Sequence, residues 1–168
     1  MSERWATIME FPGYQISDMG NIYNLRTKRL MKSSDTGFGH RKIWLTDYFG
    51  QGHTRSVAML VANAFVEQPN EMCTYLMMLD GDFTNVEATN LAWRPRWFAW
   101  KYTRQLKLPQ PIHYKNLPVL NLLTGEEYES IIEAGMTNGE LFYDIWESTF
   151  RGNQIYPHGS VYEVIRKV

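Results

Sequence analysis

Turn-forming residues punctuate the first third of this chain so often that it reads as short strands joined by turns. In "FPGYQISDMGNIYNLRT", Pro12-Gly13 and Met19-Gly20-Asn21 bracket Tyr14 and Ile16, which alternate with polar residues. Ile22 and Asn24 resume the alternation after the second turn. The stretch "RKIWLTDYFGQGHTRSVAML" repeats the pattern. A strand near Lys42–Thr46 should turn at Gly50–Gly52 and return through Thr54–Val57. Small antiparallel hairpins are therefore the expected building unit of this region.

Helical periodicity begins only at "SVAMLVANAF", which should run to about Phe65 before Pro69 breaks it. "TYLMML" reads as a short apolar strand, "DGD" as a turn, and "NVEATNLAW" as a compact loop or helical turn. A helix is expected near Arg96–Leu106, and Pro109, Pro111 and Pro118 then punctuate a linker. The reading is an α+β chain with one domain over 1–107, a linker at 108–117 and a second domain over 118–168. In that second part "LPVLNLLTGEEYES" forms a hairpin turning at Thr124-Gly125. Ser130 and Glu133 have capping-box spacing, which predicts a helix from Ser130 to near Gly135. "TNGELFYDIWESTF" predicts a second helix with Leu141, Phe142, Ile145 and Trp146 on one face, ended by Gly152. "SVYEVI" closes the module as a strand. A hairpin, two helices and a strand make a helix-turn-helix-like unit.

With 168 residues, 44% of them hydrophobic and 14% aromatic, the chain can build a packed core. The single Cys73 excludes an intramolecular disulfide and a cysteine-rich zinc site, and fits a reducing interior. No apolar run is long enough to span a bilayer, so no membrane partner is expected. The net charge of −1 conceals segregation. Residues 1–60 carry a net +3 and residues 94–117 a net +6, whereas 61–93 and 118–168 each carry −5. Basic segments of this kind are where nucleic acid would bind.

These motifs carry a resemblance. The opening "W-x-x-I-x-x-F-P-G-Y-x-I-S-D-M-G-x-I-Y-N-L", Trp5 to Leu25, resembles the amino-terminal module of phage-type HNH homing endonucleases. "SVAMLVANAFVEQPN" is similar to the helix entering their nuclease core, and "LDGDFTNVEATNLAW" to the core's Asp-Gly-Asp turn and Asn-Leu-x-Trp ending. "PVLNLLTGEEYESIIEA", closing with "RGNQIYPHGSVYEV", resembles their terminal helix-turn-helix repeat. The resemblance spans roughly residues 5–165. It implies a ββα nuclease core between the hairpins and the terminal module, a phage source, and the cytoplasm of an infected bacterium as the place of action.

An HNH site uses one divalent metal to stabilise the leaving oxygen of a phosphodiester, and a histidine to activate water. The resemblance puts the acidic or amide residue and this histidine at Met77 and Met78. Val86 stands where a second Asn is common, and Ala58 and Met59 replace the His and Arg that usually open the earlier helix. "RPRWFAWKY" offers no metal ligand. A thioether binds Mg²⁺ poorly and takes no proton from water at neutral pH. Catalytic residues are therefore expected to be absent, with Met77, Met78 and Val86 as the degenerate positions, and no cofactor is expected. Asp80 and Asp82 remain as metal candidates, with His40, His53, His113 or His158 as a distant complement, but turn formation explains the two aspartates better.

The chain is thus expected to be an inactive relative that binds double-stranded DNA. Arg94, Arg96, Lys101, Arg104 and Lys107, interleaved with Trp97, Trp100 and Tyr102, are the first phosphate-binding candidates. Arg26, Lys28, Arg29 and Lys32 form a second group, joined by Arg41 and Lys42. The terminal module reads differently, because its second helix carries Glu140, Asp144 and Glu147 and no cation before Arg151. Two alternatives follow: a protein-interaction module using the acidic residues 118–168, and a residual metal-dependent DNA endonuclease.

Overall fold

Alternation of inward and outward residues sets the first sheet. In the computed structural model, which describes residues 2–35 and 40–166, β1 (Trp5–Thr7), β2 (Tyr14–Ser17), β3 (Ile22–Asn24) and β4 (Arg29–Met31) pair antiparallel in sequence order. Ile16 and Ile22 face each other across β2 and β3 and are both buried. The turn between them is closed by Ser17, whose hydroxyl accepts from the Asn21 amide at 3.0 Å. Arg4 anchors the same turn through Asp18, its Nε donating at 2.8 Å, and this contact holds the Asp18 carboxyl below its usual range.

A second antiparallel sheet contains β5 (Ser34–Asp35), β6 (Arg41–Thr46) and β7 (Gly52–Ser56). Along β6 the period of two is strict: Ile43 and Leu45 enter the core, while Lys42, Trp44 and Thr46 face solvent. The helix α1 (Val57–Phe65) follows at once and buries Val57, Ala58, Leu60, Val61 and Ala62 against both sheets. β8 (Tyr75–Met78) and β9 (Leu91–Arg94) form a separate two-stranded ladder. The end of "NVEATNLAW", expected as loop or helical turn, is therefore a strand, preceded by a 3-10 turn at Ala88–Asn90. All four residues of β9 are buried, and burial on both faces hides the period-two signature that marks a strand in sequence.

The chain divides into two compact units, Met1–Arg96 and Trp97–Val168. The prolines suggested a later boundary at 108–117. The helix α2 (Arg96–Lys107) falls almost wholly in the second unit, and the short helix α3 (Ile112–Asn116) lies inside the expected linker. Packing explains the difference. The Tyr102 hydroxyl donates to the Gly135 carbonyl at 3.3 Å, and the Gln105 carboxamide brackets the start of a later helix, donating to the Glu140 carbonyl and accepting from the Phe142 amide.

In this unit β10 (Val119–Asn121), β11 (Glu127–Tyr128) and β12 (Tyr162–Val164) form an antiparallel sheet in the order β11-β10-β12. The helices α4 (Ile131–Asn138) and α5 (Phe142–Arg151) pack beside it. Ser130 caps α4 by accepting from the Glu133 amide at 3.1 Å, as its spacing predicted. α4 outruns Gly135 and ends at Gly139, and α5 ends at Gly152; both glycines take the left-handed conformation that closes a helix. Val119, Ile131, Ala134, Phe142, Ile145 and Tyr162 make the core. The architecture is α+β, with small antiparallel sheets in both units.

Candidate functional site

The Asp80-Gly81-Asp82 turn closes the β8–β9 ladder and is held by its own side chains. Asp80 Oδ1 accepts from the Asp82 amide at 2.8 Å and from Asn90 Nδ2 at 2.9 Å; Oδ2 accepts from Asn85 Nδ2 at 2.7 Å. Asn90 returns the contact, accepting from the Asp80 amide at 3.0 Å and donating to the Asn85 carbonyl at 2.9 Å. Asp82 accepts from the Thr84 hydroxyl and amide, and the hydroxyl contact in particular holds its carboxyl below the usual range. Both carboxylates are thus turn-building groups.

The positions where the resemblance calls for reagents are packed. Met77 is 2% exposed, and Met78 pairs with Leu91 across the ladder inside the core of the first unit. Val86 is buried in the same core. It lies against Gly20, where an added Cβ would sit 2.3 Å from a Val86 methyl. The Ala88 amide ties this loop to the Asp18 carbonyl at 2.7 Å. At the opening of α1, Ala58 is buried and Met59 exposed.

An HNH-type divalent ion needs oxygen and imidazole ligands. Two thioethers, a valine and a carboxylate with both oxygens engaged do not fit it. Among the described residues there is no group of three or more His, Cys, Asp or Glu side chains placed to hold a metal. Of the candidate histidines, His53 contacts Asp47 at 2.9 Å, while His113 and His158 belong to the second unit. Within the first unit His40 reaches this region, its ring centroid 4.8 Å from that of Phe83.

The basic candidates separate into two classes. On α2, Arg96, Lys101, Arg104 and Lys107 are exposed together with Trp97 and Trp100. Lys101 Nζ lies over the Trp97 ring at 5.4 Å and the Arg104 guanidinium over Trp100 at 5.2 Å. Tyr102 turns inward. Arg26, Lys28, Arg29, Lys32 and Lys42 are also exposed. Arg94 is not: it is 6% exposed and donates to the Trp93 carbonyl at 2.9 Å. Arg41 is half-buried and spans Ser33 Oγ at 3.2 Å and the Gly20 carbonyl at 3.3 Å. Charge counting cannot separate these two from their exposed neighbours, because burial depends on strand register.

The α5 surface also departs from expectation. Glu140 precedes the helix and is fully buried, so it adds nothing to an acidic face. Burial raises the Asp144 carboxyl above its usual range, and Glu147 pairs with Arg151 at 3.0 Å. What α5 presents is an aromatic row, Tyr143, Trp146 and Phe150, with successive ring centroids 5.7 and 5.3 Å apart. A second exposed aromatic pair, Tyr48 and Phe49, caps the β6–β7 hairpin. Its signal was present in the sequence as two rings between the expected strand end at Thr46 and the expected turn at Gly50–Gly52, where polar residues and glycine are the norm.

Comparison with known proteins gives three matches. The NUMOD4 motif matches residues 3–39. A protein of Acanthamoeba polyphaga mimivirus, named "Uncharacterized HNH endonuclease L247", is 31% identical over 90 residues; the match covers 54% of this chain and 22% of that protein. This chain therefore spans about a fifth of that relative's length. A solved structure described as "DNA binding and cleavage by the HNH homing endonuclease I-HmuI" superposes with a TM-score of 0.57 at 22% identity, covering 98% of this chain and 99% of the other. With a NUMOD4 motif, which is associated with HNH endonucleases, at its amino-terminal end, this chain has the fold of an HNH homing endonuclease over nearly its full length.

Proposed function

We propose that this protein binds duplex DNA without cleaving it. The observation that carries the reading is the outer face of α2, where Arg96, Lys101, Arg104 and Lys107 flank two exposed tryptophans. Such a face neutralises phosphates, and its rings can lie against sugars or bases. Loss of cleavage is supported by the packing of Met77, Met78 and Val86 and by the engagement of Asp80 within its turn. The superposed homing endonuclease is described as binding and cleaving DNA, which supports DNA as the partner.

A salt titration of the protein with duplex DNA tests binding. The expected result is submicromolar affinity that falls steeply with salt and is lost in Arg96→Ala/Arg104→Ala; no binding at low salt would sink the proposal. A plasmid-nicking assay with Mg²⁺ and Mn²⁺ tests cleavage and is expected to be blank. Turnover abolished by Asp80→Ala or His40→Ala would show that a working site survives.

A second reading is favoured by α5. Its aromatic row, with its one cation tied to Glu147, suits an apolar protein surface better than a phosphate backbone. The α5 surface would then contact a protein while α2 and the first unit contact DNA.

A further inference from the structure

We propose that the β6–β7 hairpin tip is an aromatic wedge that inserts at a base step of duplex DNA, beside a cationic turn that grips the flanking phosphates. The proposal rests on the DNA-binding reading above and names the element that deforms the duplex.

The tip is built to hold rings outward. Asp47 Oδ1 accepts from the Phe49 amide at 2.9 Å and the Gln51 amide at 2.8 Å, and Oδ2 meets His53 Nε2 at 2.9 Å. Backbone bonds from Asp47 to Gln51 and from Gly50 to Asp47 close the same turn. A turn fixed by this many contacts fixes the direction of the Cα–Cβ bonds of its two central residues. Those residues are Tyr48 and Phe49, each 86% exposed, with ring centroids 5.7 Å apart and edge to face. The fold gains no core packing from them. Two large rings held in water on a rigid turn have the form of the apolar wedges with which proteins pry base steps apart.

The surroundings select the partner. A recess of about 350 Å³ lies at the foot of the tip, and its walls include Tyr48 and Thr46 from one hairpin and Asn24 and Arg26 from the other. The β3–β4 turn is therefore next to the wedge. It is also fixed: the Asn24 carboxamide oxygen accepts from the Arg26 and Thr27 amides at 2.9 and 3.0 Å. Arg26, Lys28 and Arg29 are exposed on it, and no acidic residue occurs between Asp18 and Asp35. At the tip itself, both oxygens of Asp47 are turned onto the hairpin's own donors. An apolar pair bordered by cations fits stacked bases between phosphates better than the apolar surface of a protein. Pyrimidine–purine steps unstack most readily, so TA or CA steps should be preferred.

The test uses the full chain, a short duplex with 2-aminopurine placed at a TA step, and the same probe in a stiff A-tract. Binding by the parent protein should raise 2-aminopurine fluorescence on the TA duplex, which reports unstacking. Tyr48→Ala/Phe49→Ala should abolish that rise and weaken binding about tenfold while leaving the salt slope unchanged, because it removes stacking and no charge. Arg26→Ala/Arg29→Ala should instead make the salt slope shallower. Both pairs are exposed, and an unchanged melting temperature will show that the variants fold. If the parent binds the duplex but fluorescence stays quenched, or the aromatic double variant behaves as the parent, the wedge is wrong and the DNA-binding reading stands. Loss of self-association in the aromatic variant, with DNA binding and fluorescence unaltered, would assign the tip to a protein contact and overturn the proposal. If the parent does not bind DNA at low salt, the underlying reading fails first.

Discussion

The Tyr162 hydroxyl donates to Glu140 Oε2 at 2.6 Å, and both side chains are buried in the second unit. Burial, then this carboxylate, pushes the phenol above its ordinary range. A short bond between a buried donor and a carboxylate is among the stronger single polar contacts a fold contains. Tyr162→Phe should therefore destabilise the protein by about 2–3 kcal/mol. Glu140→Gln keeps an acceptor for the phenol and should cost less. Urea unfolding of the two variants measures the difference.

Asp80 offers a test of turn building against metal binding. Three donors converge on its carboxylate, so Asp80→Ala should lower stability by about 1–3 kcal/mol in the presence of chelator. Asn90→Ala removes partners of the same turn and should act in the same direction. Thermal unfolding with EDTA and with added Mg²⁺ reads the outcome; a role in metal binding requires Mg²⁺ to raise the melting temperature of the parent and not of Asp80→Ala.

Exposed and structural arginines should separate in a salt titration. Each of Arg104→Ala and Lys107→Ala should weaken DNA binding and reduce the slope of log K against log salt by about 1. Arg41→Ala should leave that slope unchanged and cost about 1 kcal/mol of stability, because its guanidinium is spent on Ser33 and Gly20. Fluorescence anisotropy and thermal melts on one set of variants distinguish the two classes.

Asp144 gives a pH signature. Burial raises its carboxyl above the ordinary range, Glu147 adds to the shift and Lys101 opposes it. Between the ordinary value and the raised one, the folded chain holds a proton that the unfolded chain has released. This contribution to stability is complete below the ordinary value and is lost as pH rises through the raised one. Asp144→Asn should therefore be more stable than the parent at neutral pH, by up to about 1 kcal/mol, with the difference fading below a pH of about 4. Melting temperatures across that range, parent against variant, check the sign.

Elements with an open face were legible in the sequence, and elements buried on both sides were not. β6 announced itself because Lys42, Trp44 and Thr46 alternate with Ile43 and Leu45. The Ser130 cap and the end of α5 at Gly152 could be read from local chemistry alone. β9 could not, since Leu91 to Arg94 are all buried and show no alternation. The unit boundary moved for a related reason: prolines mark where a chain is stiff, whereas Tyr102 and Gln105 decide which unit α2 joins. At the candidate site, the resemblance alone pointed to Met77, Met78 and Val86 as departures from HNH chemistry, and the structure shows that all three are buried. Sequence could not show that Arg94 and Arg41 face inward, or that Glu140 is a core residue.

Val86 against Gly20 works as a latch. The loop after the Asp80 turn and the β2–β3 turn close on each other through one methyl group, and nothing larger than hydrogen fits on the glycine side. A polar residue at 86 would be buried facing that glycine, and one at 77 would be buried as well, so each would cost stability unless the fold also supplied it with a hydrogen-bond partner.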